Sequence, residues 1–134
     1  MNLPGPQMWG AVEALAPLTG ASDVPAPKRS YSRYEPAKFE AAGLTPLPSV
    51  RVQPPRVDGC DLQLEATVRS TRRGGPDGTF VIVEAEVICI HAAEEVVVAG
   101  TNHIDPTRWR PLIYSFRHYF GLGGELGHSF RAER

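Results

Sequence analysis

The stretch Thr79-Phe80-Val81-Ile82-Val83-Glu84-Ala85-Glu86-Val87-Ile88-Cys89-Ile90-His91 decides the fold. Apolar side chains occupy both of its alternations. Val81, Val83, Ala85, Val87 and Cys89 fall on one face, and Phe80, Ile82, Ile88 and Ile90 on the other. A strand that is apolar on both sides belongs to a barrel or to a sheet covered on both faces. Just upstream, over residues 60–70, Leu62, Leu64, Ala66 and Val68 alternate with Asp61, Gln63, Glu65, Thr67 and Arg69. That is the period-2 pattern of a half-buried strand, with its apolar set expected inward. Arg72-Arg73-Gly74-Gly75-Pro76-Asp77-Gly78 joins the two as a turn. Downstream, a turn over residues 92–94 leads to a third expected strand, Val96-Val97-Val98. No βαβ spacing separates these segments, so the meander is antiparallel. The expected fold is mainly β, barrel-like, with short helices.

The chain ahead of this core is irregular. Ten of the 13 prolines lie in residues 1–55. Residues 6–16 are expected to form a short helix, with Met8, Val12, Leu15 and Ala16 on one face, Pro6 in its first turn and Pro17 as its stop. Residues 19–34 carry no period and read as a surface loop pinned by Tyr31 and Tyr34. A second helix runs from Ala37 to Ala42, started by Pro36 and ended by Gly43 in a left-handed conformation. Residues 44–55 are extended, and Gln53-Pro54-Pro55 places them at an edge or in a crossover, because proline cannot donate to a full ladder.

Composition removes several function classes. At 134 residues the chain matches one domain of ordinary size, roughly 100–150 residues. Its net charge of −1 leaves no polycation to release counterions from a nucleic acid and no basic block to hold an anionic membrane. No apolar run approaches a membrane span and no signal peptide is evident, so the expected localisation is cytoplasmic. Cys60 and Cys89 lie outside any CxxC or zinc-spaced cluster and read as free, buried thiols.

Candidate chemistry concentrates in the tail. Gly121-Leu122-Gly123-Gly124-Glu125-Leu126-Gly127 has only seven residues after it, too few for the helix and second strand that a dinucleotide fingerprint needs, so it reads as a glycine turn. His103 and Asp105 are two apart while His118 and His128 lie elsewhere, which gives no paired ligand spacing and no assigned metal. No nucleophile elbow is present. Glu84 and Glu86 share a face, as paired carboxylates or as polar residues at a barrel mouth or dimer seam. Arg117-His118-Tyr119-Phe120 combines donors for an anion or ring carbonyl with flat apolar surface, which suits a planar anionic ligand such as a nucleotide or flavin. The same aromatics would also serve to cap a barrel, with Arg117 paired to an acid.

Several stretches together resemble the flavin reductase-like family, which has the FMN-binding split barrel. Phe39-Glu40-Ala41-Ala42-Gly43-Leu44-Thr45-Pro46-Leu47-Pro48-Ser49, running into Pro54-Pro55-Arg56-Val57, is similar to the family's crossover. The strand Leu62-Gln63-Leu64-Glu65-Ala66 follows it, and Val81 to His91 resembles the family's long strand ending in His. Gly100-Thr101-Asn102-His103-Ile104-Asp105 and Arg117 to Gly121 fit a subgroup.

The resemblance implies an antiparallel split β-barrel and a homodimer with FMN, or FAD, near its interface. It also implies hydride transfer from NAD(P)H to flavin and a partner monooxygenase. His103 and Arg117 would be polar donors and Tyr119 and Phe120 stacking surface of the cofactor-binding site, with no catalytic acid or base assigned. Two departures stand out. Val83-Glu84-Ala85 occupies the place where many family members carry Gly-Asp-His, and Met1-Asn2-Leu3-Pro4 resembles a point where the family has already passed its first strands. The barrel is therefore expected to be incomplete at the N-terminus. The expected organisation is a helix, loop and crossover segment over 1–58, antiparallel strands over 59–99 and a polar-aromatic tail over 100–134. The alternative function is a non-catalytic flavin-binding or dimerisation module.

Overall fold

The computed structural model describes residues 1–127 and Ser129; His128 and residues 130–134 of the expected tail lie outside the described residues. A two-residue strand β1 (Asn2–Leu3) leads through a 3-10 turn (Pro6–Met8) into helix α1 (Trp9–Leu15). Pro17 follows and stops the helix, since it lacks the amide that a further turn requires. Short strands β2 (Leu18–Thr19) and β3 (Arg33–Tyr34) then pair in parallel, closing the loop between them. Tyr31 and Tyr34 do not pin that loop as expected. Both side chains are exposed, and the loop is tied instead by backbone bonds such as Arg33 N–H to the Pro17 carbonyl.

Helix α2 (Lys38–Ala41) ends at Gly43, whose φ of 64° is the left-handed value expected there. The crossover is pinned at its ends by β4 (Pro46–Leu47) and β5 (Arg56–Val57), which pair antiparallel. Ser49 Oγ donates to the Pro54 carbonyl across the loop between them, at 2.6 Å.

A 13-residue hairpin dominates the chain, formed by β6 (Leu62–Gly74) and β7 (Phe80–Ala92), with β1 added antiparallel to the outer edge of β6. Gly75 and Gly78 take positive φ in the connection, which tightens the expected turn to residues 75–79. Ile88 on β7 and Arg69 on β6 are left out of the pairing, so Glu65 faces Cys89 but Ala66 faces Val87. Each such bulge changes which face the following residues occupy.

The strands depart from expectation at three points. The period-2 reading of residues 60–70 is right, but the inward face is the polar one. Gln63 and Glu65 are buried, while Val68 is exposed. The long strand is not covered on both sides, since Phe80, Val81, Val83, Val87 and Ile90 are all exposed in the single chain. Residues 96–98 do not form a strand. Glu94–Val96 is a 3-10 turn and Val97 makes an isolated bridge to Ile104. The run of valines pointed to a strand, but a single buried Val96 satisfies the packing there.

A last hairpin, β8 (Ile113–Ser115) and β9 (His118–Phe120), completes a mainly β chain with short helices. Among the described residues the strands do not close a barrel. No helix among them is long and apolar enough to cross a membrane.

Candidate functional site

The β8–β9 hairpin turns on only two residues, Phe116 and Arg117, and both have positive φ (47° and 66°). That is the handedness a two-residue hairpin turn needs to match strand twist, normally supplied by Asn and Gly. Side chains pay a steric penalty in it. Phe116 is 95% exposed and contributes no packing in return.

The hairpin builds one wall of an open groove of about 400 Å³. Arg117, His118, Tyr119 and Phe120 line it from the hairpin, and Pro6 and Trp9 face them from the start of the chain. Leu112 N–H donates to the Pro4 carbonyl at 2.8 Å, which holds the two walls together. Gly121 passes so close to Pro6 that a Cβ would lie 3.2 Å from Pro6 Cγ. Trp9 and Tyr119 rings sit 6.2 Å apart and Tyr114 and Tyr119 rings 5.3 Å apart, both tilted. Tyr119 donates its hydroxyl to Glu13 Oε2 at 2.8 Å, and that bond, with burial and the Glu13 charge behind it, raises the phenol's pKa.

Three of the four sequence-derived candidates, Arg117, Tyr119 and Phe120, therefore share one groove. His103 is not among its lining residues. It is exposed in the loop after Gly100, where its N–H donates to Thr101 Oγ1 and its carbonyl accepts from Val98 N–H. Next to it, Asp105 Oδ1 accepts from the hydroxyl and the amide of Thr107, and these bonds lower its pKa. The groove residues that the sequence did not single out are Pro6, Trp9 and Leu112. Leu112 directly precedes the hairpin, while only the tertiary fold brings Pro6 and Trp9 to it, just as it brings Glu13 to Tyr119, 106 positions further on. Within the glycine run, Leu122, Gly123, Gly124, Glu125 and Gly127 line a second cavity of about 530 Å³ with Trp109 and Arg110.

Glu84 and Glu86 are engaged by the facing strand. Ser70 Oγ donates to Glu84 Oε2 at 2.9 Å and Arg69 pairs with Glu86. This is the arrangement of strand polar partners rather than of two carboxylates converging on a substrate.

A second polar cluster lies inside the fold. The Glu65 side chain is 1% exposed, and its carboxylate accepts from the amides of Val50 (2.9 Å), Arg51 (2.6 Å) and Val52 (3.1 Å). Its Oε1 also lies 2.6 Å from His91 Nε2, and Cys89 Sγ lies 3.5 Å from the same nitrogen. Burial acts to raise the Glu65 pKa, but the amide bonds and His91 outweigh it and hold the carboxyl at about 2. Beside it, Gln63 donates to the Val57 carbonyl and accepts from Arg56. Cys60 is buried as expected, its Sγ 3.8 Å from Met8 Sδ, and burial raises its pKa; Cys89 is half-buried. The sequence signal for the cluster is a Cys-x-His pair on one strand opposite a Glu on the strand before it.

No family model matches the chain. It is 46% identical over 134 residues to the uncharacterized protein YdfE of Bacillus subtilis (strain 168), covering 99% of this chain and 64% of that protein. Among solved structures it superposes on flavoredoxin of Desulfovibrio vulgaris (Miyazaki F) with a TM-score of 0.66 at 18% identity, covering 98% of this chain and 62% of that one. Nitrilotriacetate monooxygenase component B from Bacillus cereus gives 0.63 at 19% identity, covering 95% and 57%. An FMN-binding domain of a flavin reductases-like enzyme from Shewanella baltica OS155 gives 0.62 at 17%, covering 96% and 61%. The chain thus spans less than two thirds of the length of these relatives. At such identities the likeness establishes the fold, which is that of the flavin reductase-like FMN-binding domains, in line with the sequence resemblance.

Proposed function

We propose that a chain with this fold binds FMN and acts as, or as part of, an oxidoreductase that passes reducing equivalents from NAD(P)H to the flavin. The observation that carries the reading is the groove in which Trp9, Tyr119 and Phe120 offer aromatic surface while Arg117 and His118 offer donors. Its volume, about 400 Å³, lies in the lower part of the range of small-molecule sites, roughly 300–1,000 Å³, and suits a ring system rather than a whole nucleotide.

In this reading Trp9 and Tyr119 supply the apolar wall against which a planar ring is oriented, and Arg117 and His118 hold negative charge or a ring carbonyl. Glu13 fixes the Tyr119 ring through its hydroxyl, so the wall is ordered before the ligand arrives. His103 is retained as a polar donor toward the same ligand only if a second subunit or a ligand extending out of the groove reaches it. When bound, the flavin supplies the redox chemistry, taking up a hydride and yielding two electrons to an acceptor. By analogy with the monooxygenase component B that shares its fold, that acceptor is proposed to be a partner monooxygenase.

A second reading, a dimerisation or flavin-binding module without turnover, is favoured by the exposed Val81, Val83, Val87 and Ile90 on the long hairpin and by Val83-Glu84-Ala85 in place of Gly-Asp-His. Apolar surface of that extent on a sheet marks an association surface, and a homodimer is proposed to cover it.

The test is to titrate the purified chain with FMN, following flavin fluorescence, and then to follow NADH and NADPH loss at saturating FMN. Quenching with turnover supports the first reading and quenching without turnover the second. Absence of both removes the flavin reading.

A further inference from the structure

We propose that Glu65, Cys89 and His91 form a binding site for a soft divalent cation of the Zn²⁺ type. The three donor atoms, a carboxylate oxygen, Sγ and Nε2, all lie within 4.8 Å of one another. Zinc bonds of about 2.0 Å to nitrogen and about 2.3 Å to sulfur put those two atoms roughly 3.5 Å apart around a tetrahedral ion. His91 Nε2 and Cys89 Sγ are already 3.5 Å apart. Nε2 and Glu65 Oε1, at 2.6 Å, need to separate by less than about 1 Å to reach the spacing of two tetrahedral ligands.

The site is held in place before any ion arrives. Glu65 and Cys89 face each other directly across the β6–β7 ladder, and His91 follows two residues on from Cys89. The amides of Arg51 and Val52 occupy Glu65 Oε2, and Val50 N–H donates to Oε1. The carboxylate is therefore oriented by partners that an ion would not displace, the role outer-shell groups play in metal sites. Only the bond to His91 is exchanged. Binding releases the Cys89 thiol proton to solvent and leaves a neutral imidazole whose hydrogen sits on Nδ1. One carboxylate and one thiolate then balance a +2 ion, so the filled site carries no net charge in a buried setting where unbalanced charge is costly.

Access and selectivity follow from the surroundings. His91 lines an open cavity of about 280 Å³ together with Asp58 and Asp61, whose carboxylates attract cations, while Arg56 is engaged by Gln63 and the Pro48 carbonyl. A thiolate and an imidazole favour Zn²⁺ or Co²⁺ over Mg²⁺ or Ca²⁺, which prefer all-oxygen shells. Three protein ligands leave a fourth position for water.

The test uses Co²⁺ as a spectroscopic probe on the full, reduced chain. One equivalent should produce thiolate-to-cobalt charge-transfer absorbance, and Zn²⁺ should abolish it by competition. Cys89→Ser should remove the charge-transfer band, and His91→Gln should weaken Co²⁺ binding by more than about 10-fold, the least expected from loss of even an outer-shell partner. Cys60→Ser, a control on the other thiol, should leave the spectrum unchanged. Circular dichroism confirms that each variant is folded, and Cys89→Ser, the smallest change, carries the decision if His91→Gln does not fold. Absence of a charge-transfer band in the wild-type chain, or a band that survives Cys89→Ser, overturns the proposal. Both readouts are independent of flavin binding and turnover.

Discussion

Glu65 Oε1 lies 2.6 Å from His91 Nε2 across the β6–β7 ladder, and the same carboxylate receives the amides of Val50, Arg51 and Val52 from the crossover. A buried charge thus fastens an irregular, proline-rich segment to the long hairpin. Each amide it satisfies would otherwise be a backbone donor lacking a partner in the protein.

This arrangement makes stability depend on acid in a defined window. The folded Glu65 carboxyl titrates at about 2 against an ordinary 4.5, so the unfolded chain takes up the proton first as pH falls. The stability it contributes is present above pH 4.5 and is lost as pH drops toward about 2. Thermal melts should show a midpoint that falls steeply below pH 4.5, and Glu65→Gln should lower the midpoint at neutral pH while flattening that acid limb. A Glu65→Gln variant with the wild-type acid profile would show that other carboxylates govern it.

The strained turn separates stability from ligand binding. Phe116→Asn places a residue suited to positive φ where the side chain packs on nothing, and should stabilise the chain by about 1 kcal/mol in denaturant unfolding. Its FMN affinity should stay within about twofold of wild type, because Phe116 is not among the groove-lining residues. Arg117→Gly should stabilise comparably but weaken FMN binding, since Arg117 lines the groove. Such trade-offs are expected where strain is kept at a site.

Loss of the aromatic wall should be read in affinity. Tyr119→Ala should weaken FMN binding by about 2- to 10-fold, the scale of one aromatic contact, measured by fluorescence titration. Tyr119→Phe keeps the ring but frees it from Glu13, and should fall between wild type and Tyr119→Ala. Equal affinities for all three would place the flavin elsewhere.

The open faces of the hairpin should drive self-association. Val83→Glu puts a charge on an exposed apolar strand position, and sedimentation velocity should show a shift from dimer toward monomer at micromolar concentration. An unchanged sedimentation profile would indicate that residues 80–90 do not form the association surface.

Much of the local structure was legible. Pro17 and Gly43 marked the ends of the two helices because one lacks an amide and the other tolerates positive φ. The glycines of residues 74–78 located the hairpin turn. The valines at 96–98 misled, because β-branched composition records compatibility with a strand and not the presence of a pairing partner. His103 and Arg117 looked alike as polar donors, but only Arg117 lines the groove, on the β8–β9 hairpin, while His103 sits in the loop after Gly100, its backbone bonded to Thr101 and Val98.

By itself, then, the sequence determined the alternation of β6 and β7 and the place of the turn between them, because period-2 patterning and glycine act over a few residues. It did not determine which face of β6 turns inward. Leu62, Leu64, Ala66 and Val68 promised an apolar interior on that strand, yet Gln63 and Glu65 occupy it. The reason is that alternation specifies two faces without saying what covers either. The covering is supplied by residues 50–52, whose amides return to Glu65 from 13 to 15 positions upstream, and by His91, 26 positions downstream. A buried carboxylate with four such partners is stable where an unpartnered one is not, and only the tertiary fold brings those partners together.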